Sequence, residues 1–207
     1  EAAAAQYRFD APHDVEGLAA LMGGRTEFCK NIHNMFESRS DFHVGTYRTV
    51  IHEMSEAASL GFGQYAHNNQ PVHHVLYVAA LGGCRAFAQK TLRRVMKAAY
   101  TQDGWSGDED TGEMSSWYVL SSLGLYSLVP GSDDLVLGSP EVKRARLVVP
   151  GRPELEIQAP ENSEDHVYVQ GVQLNGKALE AAVPYSLLAK SGGRLEFTMS
   201  TAPTDSL

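Results

Sequence analysis

Positive charge is scarce in this chain. Its 207 residues carry 17 Lys and Arg against 25 Asp and Glu, a formal net charge of -8. A nucleic-acid binder needs clustered cations to meet phosphates, so that class is set aside. Long apolar runs are absent as well. No stretch reaches the roughly 18 residues of a membrane-spanning helix. The chain opens Glu1-Ala2-Ala3-Ala4-Ala5-Gln6-Tyr7, without Met and without the charged-then-apolar pattern of a signal peptide. It therefore reads as a piece of a longer protein, whose compartment these residues do not reveal. Cysteine is nearly missing. Cys29 and Cys84 make neither a zinc spacing nor a disulfide framework. Each falls in a helix-like segment, and the expectation is two buried thiols rather than a bridge.

What remains is a globular composition, 43% hydrophobic and 20% charged, long enough for one large domain or two small ones. The pattern changes near residue 130. Before it, apolar residues recur at helical spacing. Helices are predicted over 11–22, with Asp10 or Ala11 near the cap, and over 25–36, with Phe28, Ile32, Met35 and Phe36 on one face. Further helices are predicted over 47–60, 71–81, 84–100 and 113–123. Glycines close most of these segments. After residue 130 short alternating runs take over, at 135–137, 145–149, 155–157, 167–169, 172–174 and 195–198. Asn175-Gly176 is a hairpin signal, because both residues tolerate positive φ. The expected architecture is mostly α then β: a helical part over 1–130 that carries the chemistry, and a small antiparallel β-sandwich over 131–207. Seven of the eight histidines lie within the first 74 residues, which also points to the helical part.

Two polar clusters stand out. In Gly107-Asp108-Glu109-Asp110-Thr111-Gly112 three adjacent acids repel one another. Such a loop persists mainly where a metal, a proton or sugar hydroxyls use the charge. It precedes a helix start, whose dipole favours carboxylates. It is not an EF-hand loop: Gly112 falls one short of the required sixth position, and Val119 stands where the bidentate acid belongs. Upstream, His67-Asn68-Asn69-Gln70-Pro71-Val72-His73-His74 offers amide oxygens suited to Ca²⁺ or to sugar hydroxyls. Adjacent histidines on a helix point about 100° apart and would not chelate zinc together. His52-Glu53 does not extend to a zincin, because position 56 is Glu. Together these clusters suggest a carbohydrate-active site.

Several stretches, in this order, resemble the C-terminal half of glycoside hydrolase family 92, the calcium-dependent exo-α-mannosidases. They are Glu1 to Gly24, Gly61 through His74, the run from Gly107 to Tyr126, and Leu137-Gly138-Ser139-Pro140. The resemblance implies part of an (α/α)₆ barrel followed by a small β region. It implies exo-acting, inverting hydrolysis of terminal α-linked mannose from mannan or N-glycan. One carboxylic acid and one carboxylate base flank the bond. The base loop matches Asp108 and Asp110. Glu1 takes the place of the acid, although Ala2 to Ala5 depart from the family and Ala5 stands where a Trp is expected. The resemblance further implies Ca²⁺ at Asn69 and Gln70, and substrate contacts from His52, Glu53, His67 and His73. The His52-Glu53 pair points to an α-1,2 linkage. The implied partners are a mannose-containing oligosaccharide and the missing N-terminal part of the same enzyme, in a secreted or periplasmic setting. The rival reading is a non-catalytic carbohydrate-binding or scaffold module. It predicts mannose binding without turnover.

Overall fold

The computed structural model describes residues 2–204. Eight α-helices and ten strands are formed among them, helices predominating first and strands later. The helices are α1 (Ala4–Tyr7), α2 (Val15–Leu21), α3 (Arg25–Glu37), α4 (His52–Leu60), α5 (Val75–Leu81), α6 (Arg85–Ala99), α7 (Glu113–Ser122) and α8 (Tyr185–Ser191). α3 buries Phe28, Ile32, Met35 and Phe36, the face that its spacing predicts. α6 buries Ala88, Leu92, Val95, Met96 and Ala99, which recur every three or four residues along one side. α5 is different: Val75 to Ala79 are buried without interruption. A short helix apolar on all sides belongs in the centre of a core. It forms one apolar cluster with α3, α6 and Trp117 of α7.

Three helices start later than expected. α5 begins at Val75, after a 3-10 turn over Gln70–Val72. α2 begins at Val15, because the Asp14 carboxylate accepts from Gly17 N at 2.9 Å and caps the helix there. α4 begins at His52, not near 47. A single 3-10 turn at Gly45–Tyr47 ends at Arg48, whose φ of 59° is left-handed. Thr49 is a bend, and the β-branched Ile51 is extended at φ -97° and ψ 160° just before the helix.

The expected pair of free thiols is not what the fold contains. Cys29 of α3 and Cys84 at the cap of α6 are joined in a disulfide, with Cα atoms 5.5 Å apart. The cause lies in the packing between helices. Gly82, in the turn between α5 and α6, sits so close to α3 that a Cβ there would fall 2.2 Å from the Phe28 ring. This close approach brings together two cysteines 55 residues apart in sequence.

The strands are β1 (Tyr100–Thr101), β2 (Gly104–Trp105), β3 (Leu125–Tyr126), β4 (Asp134–Leu137), β5 (Arg144–Leu147), β6 (Leu155–Gln158), β7 (Tyr168–Leu174), β8 (Lys177–Leu179), β9 (Ala182–Pro184) and β10 (Gly193–Ser200). A five-stranded sheet runs β5-β6-β10-β7-β8 and a three-stranded sheet runs β3-β4-β9. Pairing is antiparallel except between β6 and β10, which run parallel. The two runs expected at 167–169 and 172–174 are one strand, β7. Asn175 and Gly176, both at positive φ, turn it into β8. Ile157, Val169, Leu195 and Phe197 of the larger sheet share a second apolar cluster with Leu125, Leu137 and Val183 of the smaller.

The border near residue 130 is bonded, not open. β3 and β4 pair across it, and Val136 and Leu137 feed different clusters. Arg93 of α6 donates from Nη1 to Pro140 O at 2.7 Å and to Asn162 Oδ1 at 2.6 Å. Gln89 Oε1 accepts from Val169 N at 3.1 Å. These bonds fix the β part against the helix that backs the candidate site.

Candidate active site

Three segments converge: the start of α4, the loop 61–74 that follows this helix, and the distant acid loop 107–112. Gly61, left-handed at φ 70°, ends α4 and reverses the chain. Gln64 N then donates to Met35 O at 2.9 Å, tying the returning loop to α3. Farther along, Asn68 Nδ2 donates to Glu53 O at 3.0 Å and to Glu56 Oε2 at 3.2 Å, which fastens the loop to α4. The acid loop docks on that same residue. A Cβ at Gly107 would fall 2.1 Å from Asn68 O, so only glycine permits the approach. Gln70 Nε2 completes the junction by donating to Asp108 O at 2.8 Å.

His52 sits where the segments meet. Its Nδ1 is 3.1 Å from Glu56 Oε1. Its Nε2 is 3.5 Å from Glu53 Oε1 and 3.8 Å from Asp108 Oδ2. The hydrogen bond to Glu56, helped by the other two carboxylates, raises the imidazole above its ordinary pKa. Glu56 was missing from the expected site residues, although its spacing of four from His52 on one helix face signals the pair. Asn68 was passed over too, in favour of its neighbours Asn69 and Gln70.

The three acids of the loop part ways. Glu109 turns into α7: its carboxylate accepts from Gly112 N, from Ser115 N at 3.2 Å and from Ser115 Oγ at 2.7 Å. These bonds, the Ser115 hydroxyl foremost, lower its pKa. Glu109 therefore binds amides at the start of α7, whose N-cap residue is Gly112. Asp108 and Asp110 remain exposed. Asp110 and Thr111 both hold left-handed backbone, at φ 54° and 59°. Each such non-glycine residue costs on the order of 1 kcal/mol and survives only where its surroundings over-determine it.

His67 and His73, expected to touch substrate, lie beneath the site. Both are fully buried. His67 Nδ1 is 2.9 Å from the Tyr65 hydroxyl and Nε2 is 2.9 Å from the Tyr100 hydroxyl. In the neutral ring one nitrogen donates and the other accepts. Burial, with His73 stacked 4.5 Å away, pushes His67 well below its ordinary pKa. His73 Nε2 donates to His67 O at 3.0 Å, and Nδ1 faces Glu113 Oε1 at 3.3 Å. That bond to His73 is the main reason the Glu113 pKa is lowered. Trp117 Nε1 donates to His73 O at 3.0 Å. These ring nitrogens are committed to a network that supports the polar loop from below. Glu1, the expected acid, lies outside the described residues. Ala5, where an aromatic was expected, packs half-buried against the helical core.

The model of the glycosyl hydrolase family 92 catalytic domain matches residues 1–201. The chain belongs to glycosyl hydrolase family 92. Two solved members from Bacteroides thetaiotaomicron superpose on it closely. One is the family 92 α-mannosidase BT3965, in complex with mannoimidazole. It matches with a TM-score of 0.85 and 27% identity, over 99% of this chain and 26% of its own. The other is the inverting mannosidase BT2199 of strain VPI-5482, at a TM-score of 0.78 and 34% identity, over 98% of this chain and 28% of its own. The family 92 member thus spans about a quarter of the length of these solved relatives. No curated protein matches it.

Proposed function

We propose that this family 92 chain forms part of the active site of an exo-acting α-mannosidase. It releases terminal α-mannose, α-1,2-linked, from mannan or N-glycan chains with inversion. Its helices belong to an (α/α)₆ barrel completed by the rest of the enzyme. The observation that carries the reading is the approach of Asp108 to His52, 3.8 Å across 56 residues of sequence. This joins the base loop to the pair proposed to hold the leaving sugar. Asp110, with Asp108 beside it, takes the proton of the attacking water. Glu1 protonates the leaving oxygen from the opposite side, as inversion requires. His52 and Glu53 bind the leaving mannose. Glu109 takes no part, because its oxygens are spent on α7.

Calcium fits the donor set. Glu53 Oε2 and Asn68 Oδ1 are buried acceptors without a hydrogen-bond partner. Carboxylate and amide oxygens are the ligands a hard cation prefers. Among the described residues no three His, Cys, Asp or Glu side chains form a metal cluster, so amides have to supply part of the set. Asn69 and Gln70 stand beside Asn68 for that role. A bound calcium supplies positive charge to mannose hydroxyls. The disulfide supports a secreted or periplasmic setting, since such bridges persist in oxidising compartments.

The test is hydrolysis of α-1,2-mannobiose by the longest form of the protein, with calcium and then with a chelator, following the product anomer by NMR. Release of β-mannose that stops on chelation is expected. Cleavage of other α-mannosides alone would discard the linkage. Binding without any turnover would replace the enzyme with a carbohydrate-binding module.

A further inference from the structure

A cavity of about 700 Å³ opens beside the site without including any residue of the acid loop. Its walls come from four segments, three of which flank the proposed chemistry. Ala2 to Ala4 directly follow the proposed acid. Met54, Ala57 and Ala58 lie along α4, which carries His52 and Glu53. Gly63, Gln64 and Ala66 lead into the polar loop. The fourth wall is the irregular segment 38–47, with Phe42 40% exposed and Tyr47 45% exposed.

The position follows the chemistry of an inverting glycosidase. The acid delivers its proton to the leaving oxygen, so the leaving portion of the substrate lies on the acid's side and the water on the base's side. Ala57, in the cavity wall, lies four residues from Glu53 on the same face of α4, so the cavity adjoins a residue proposed to hold the leaving mannose. The volume falls within the roughly 300–1,000 Å³ of small-molecule sites and exceeds what one sugar ring fills. Ala2 to Ala4 present only methyl groups, which keeps that wall open. The lining also matches a pyranose, which has one apolar C–H face and a rim of hydroxyls. Phe42 and Tyr47 offer aromatic surface, and Arg39, Asp41 and His43 offer donors and acceptors. The rim is built in advance of any ligand. Gln64 Nε2 donates to Arg39 O at 2.6 Å and to Asp41 O at 2.9 Å, and Ser38 Oγ donates to Met35 O at 2.7 Å.

We propose that this cavity is an outer subsite for the sugars behind the leaving mannose. The preferred substrate is then a mannose-terminated oligosaccharide of three or more residues, not a disaccharide. The proposal rests on the mannosidase reading with Glu1 as acid. The test is kcat/KM of the intact enzyme on an α-mannobiose, triose and tetraose of one linkage, repeated with Phe42→Ala and Arg39→Ala. A rise of about tenfold from biose to tetraose is expected. Each variant should lose most of that rise and keep biose hydrolysis within about twofold, which also shows that it is folded. Equal kcat/KM at all lengths with biose cleaved would overturn the subsite and leave the mannosidase standing. So would variants that slow biose and tetraose alike, the result expected if another segment of the enzyme fills the cavity. If no α-mannoside of any length is cleaved, the parent reading falls and the subsite with it.

Discussion

Breaking the Cys29–Cys84 bridge, by reduction or by the double substitution Cys29→Ser with Cys84→Ser, should destabilise the helical part sharply. The cysteines are separated by 55 residues. Closing a loop of that length removes chain entropy from the unfolded state worth about 4 kcal/mol at 25 °C. The folded geometry should change little. The bridge joins helices already held by the contact of Gly82 with Phe28 and by the apolar cluster around α5. For a chain of this size the loss corresponds to a fall in unfolding midpoint of roughly 8–16 °C. The assay is thermal and urea unfolding with and without dithiothreitol. Thiol titration of the denatured, unreduced protein should find no free thiol. Two free thiols there, or equal midpoints with and without reductant, would refute the brace and restore the buried-thiol expectation.

Asp110→Asn should lower kcat by about 10²–10⁴-fold with an unchanged unfolding midpoint. An unchanged kcat would remove Asp110 as the base. Gly107→Ala should cost roughly 2–5 kcal/mol, from its φ of 91° and the overlap with Asn68 O. Gly131→Ala, at φ 84° with open space around it, should cost only the backbone strain. Equal losses in urea unfolding would show that the acid loop does not press on Asn68. His74 has a lowered pKa, chiefly through burial, with Asp10 and the bond to Phe9 O opposing. Its unfolded form binds a proton that the folded form resists. Stability should therefore fall as pH drops below about 6.5, by at most roughly 1.4 kcal/mol per pH unit for this group, until the lowered folded pKa is reached. Urea midpoints at pH 7.5 and 5.5 that agree within error, or that differ equally in His74→Gln, would contradict this.

The sequence is most legible where one face of one element faces one core. α3 and α6 could be read from spacing alone, and so could Asn175-Gly176, whose chemistry selects its own turn. The reading fails where a distant contact decides. The start of α4 is set by a left-handed Arg48 that no periodicity reveals. β8 and β9 are three residues each, with too little alternation to register. The parallel pairing of β6 with β10 is a property of the topology. The disulfide depends on the glycine-permitted approach of two helices. The histidines mislead for a related reason. His67 and His73 look like ligands because they are polar and sit in a polar cluster. Two tyrosine hydroxyls, a carbonyl and Glu113 make them buried support instead.

The acid loop shows how identical sequence signals come to differ. Asp108, Glu109 and Asp110 are three adjacent carboxylates, and nothing local ranks them. Glu109 has one more methylene than its neighbours and reaches forward to the amides of Gly112 and Ser115. Binding these amides anchors the loop from its C-terminal side. Gly107 against Asn68, and Gln70 on Asp108 O, anchor it from the N-terminal side. Held at both ends, the short stretch between can keep Asp110 and Thr111 left-handed at a cost that a free loop would relax away. One acid thus becomes structure, and its anchoring leaves Asp108 exposed beside His52 and Asp110 exposed two residues farther on. The like-charge spacing is eased because Glu109, one of the three carboxylates, is turned onto the amides and the Ser115 hydroxyl of α7.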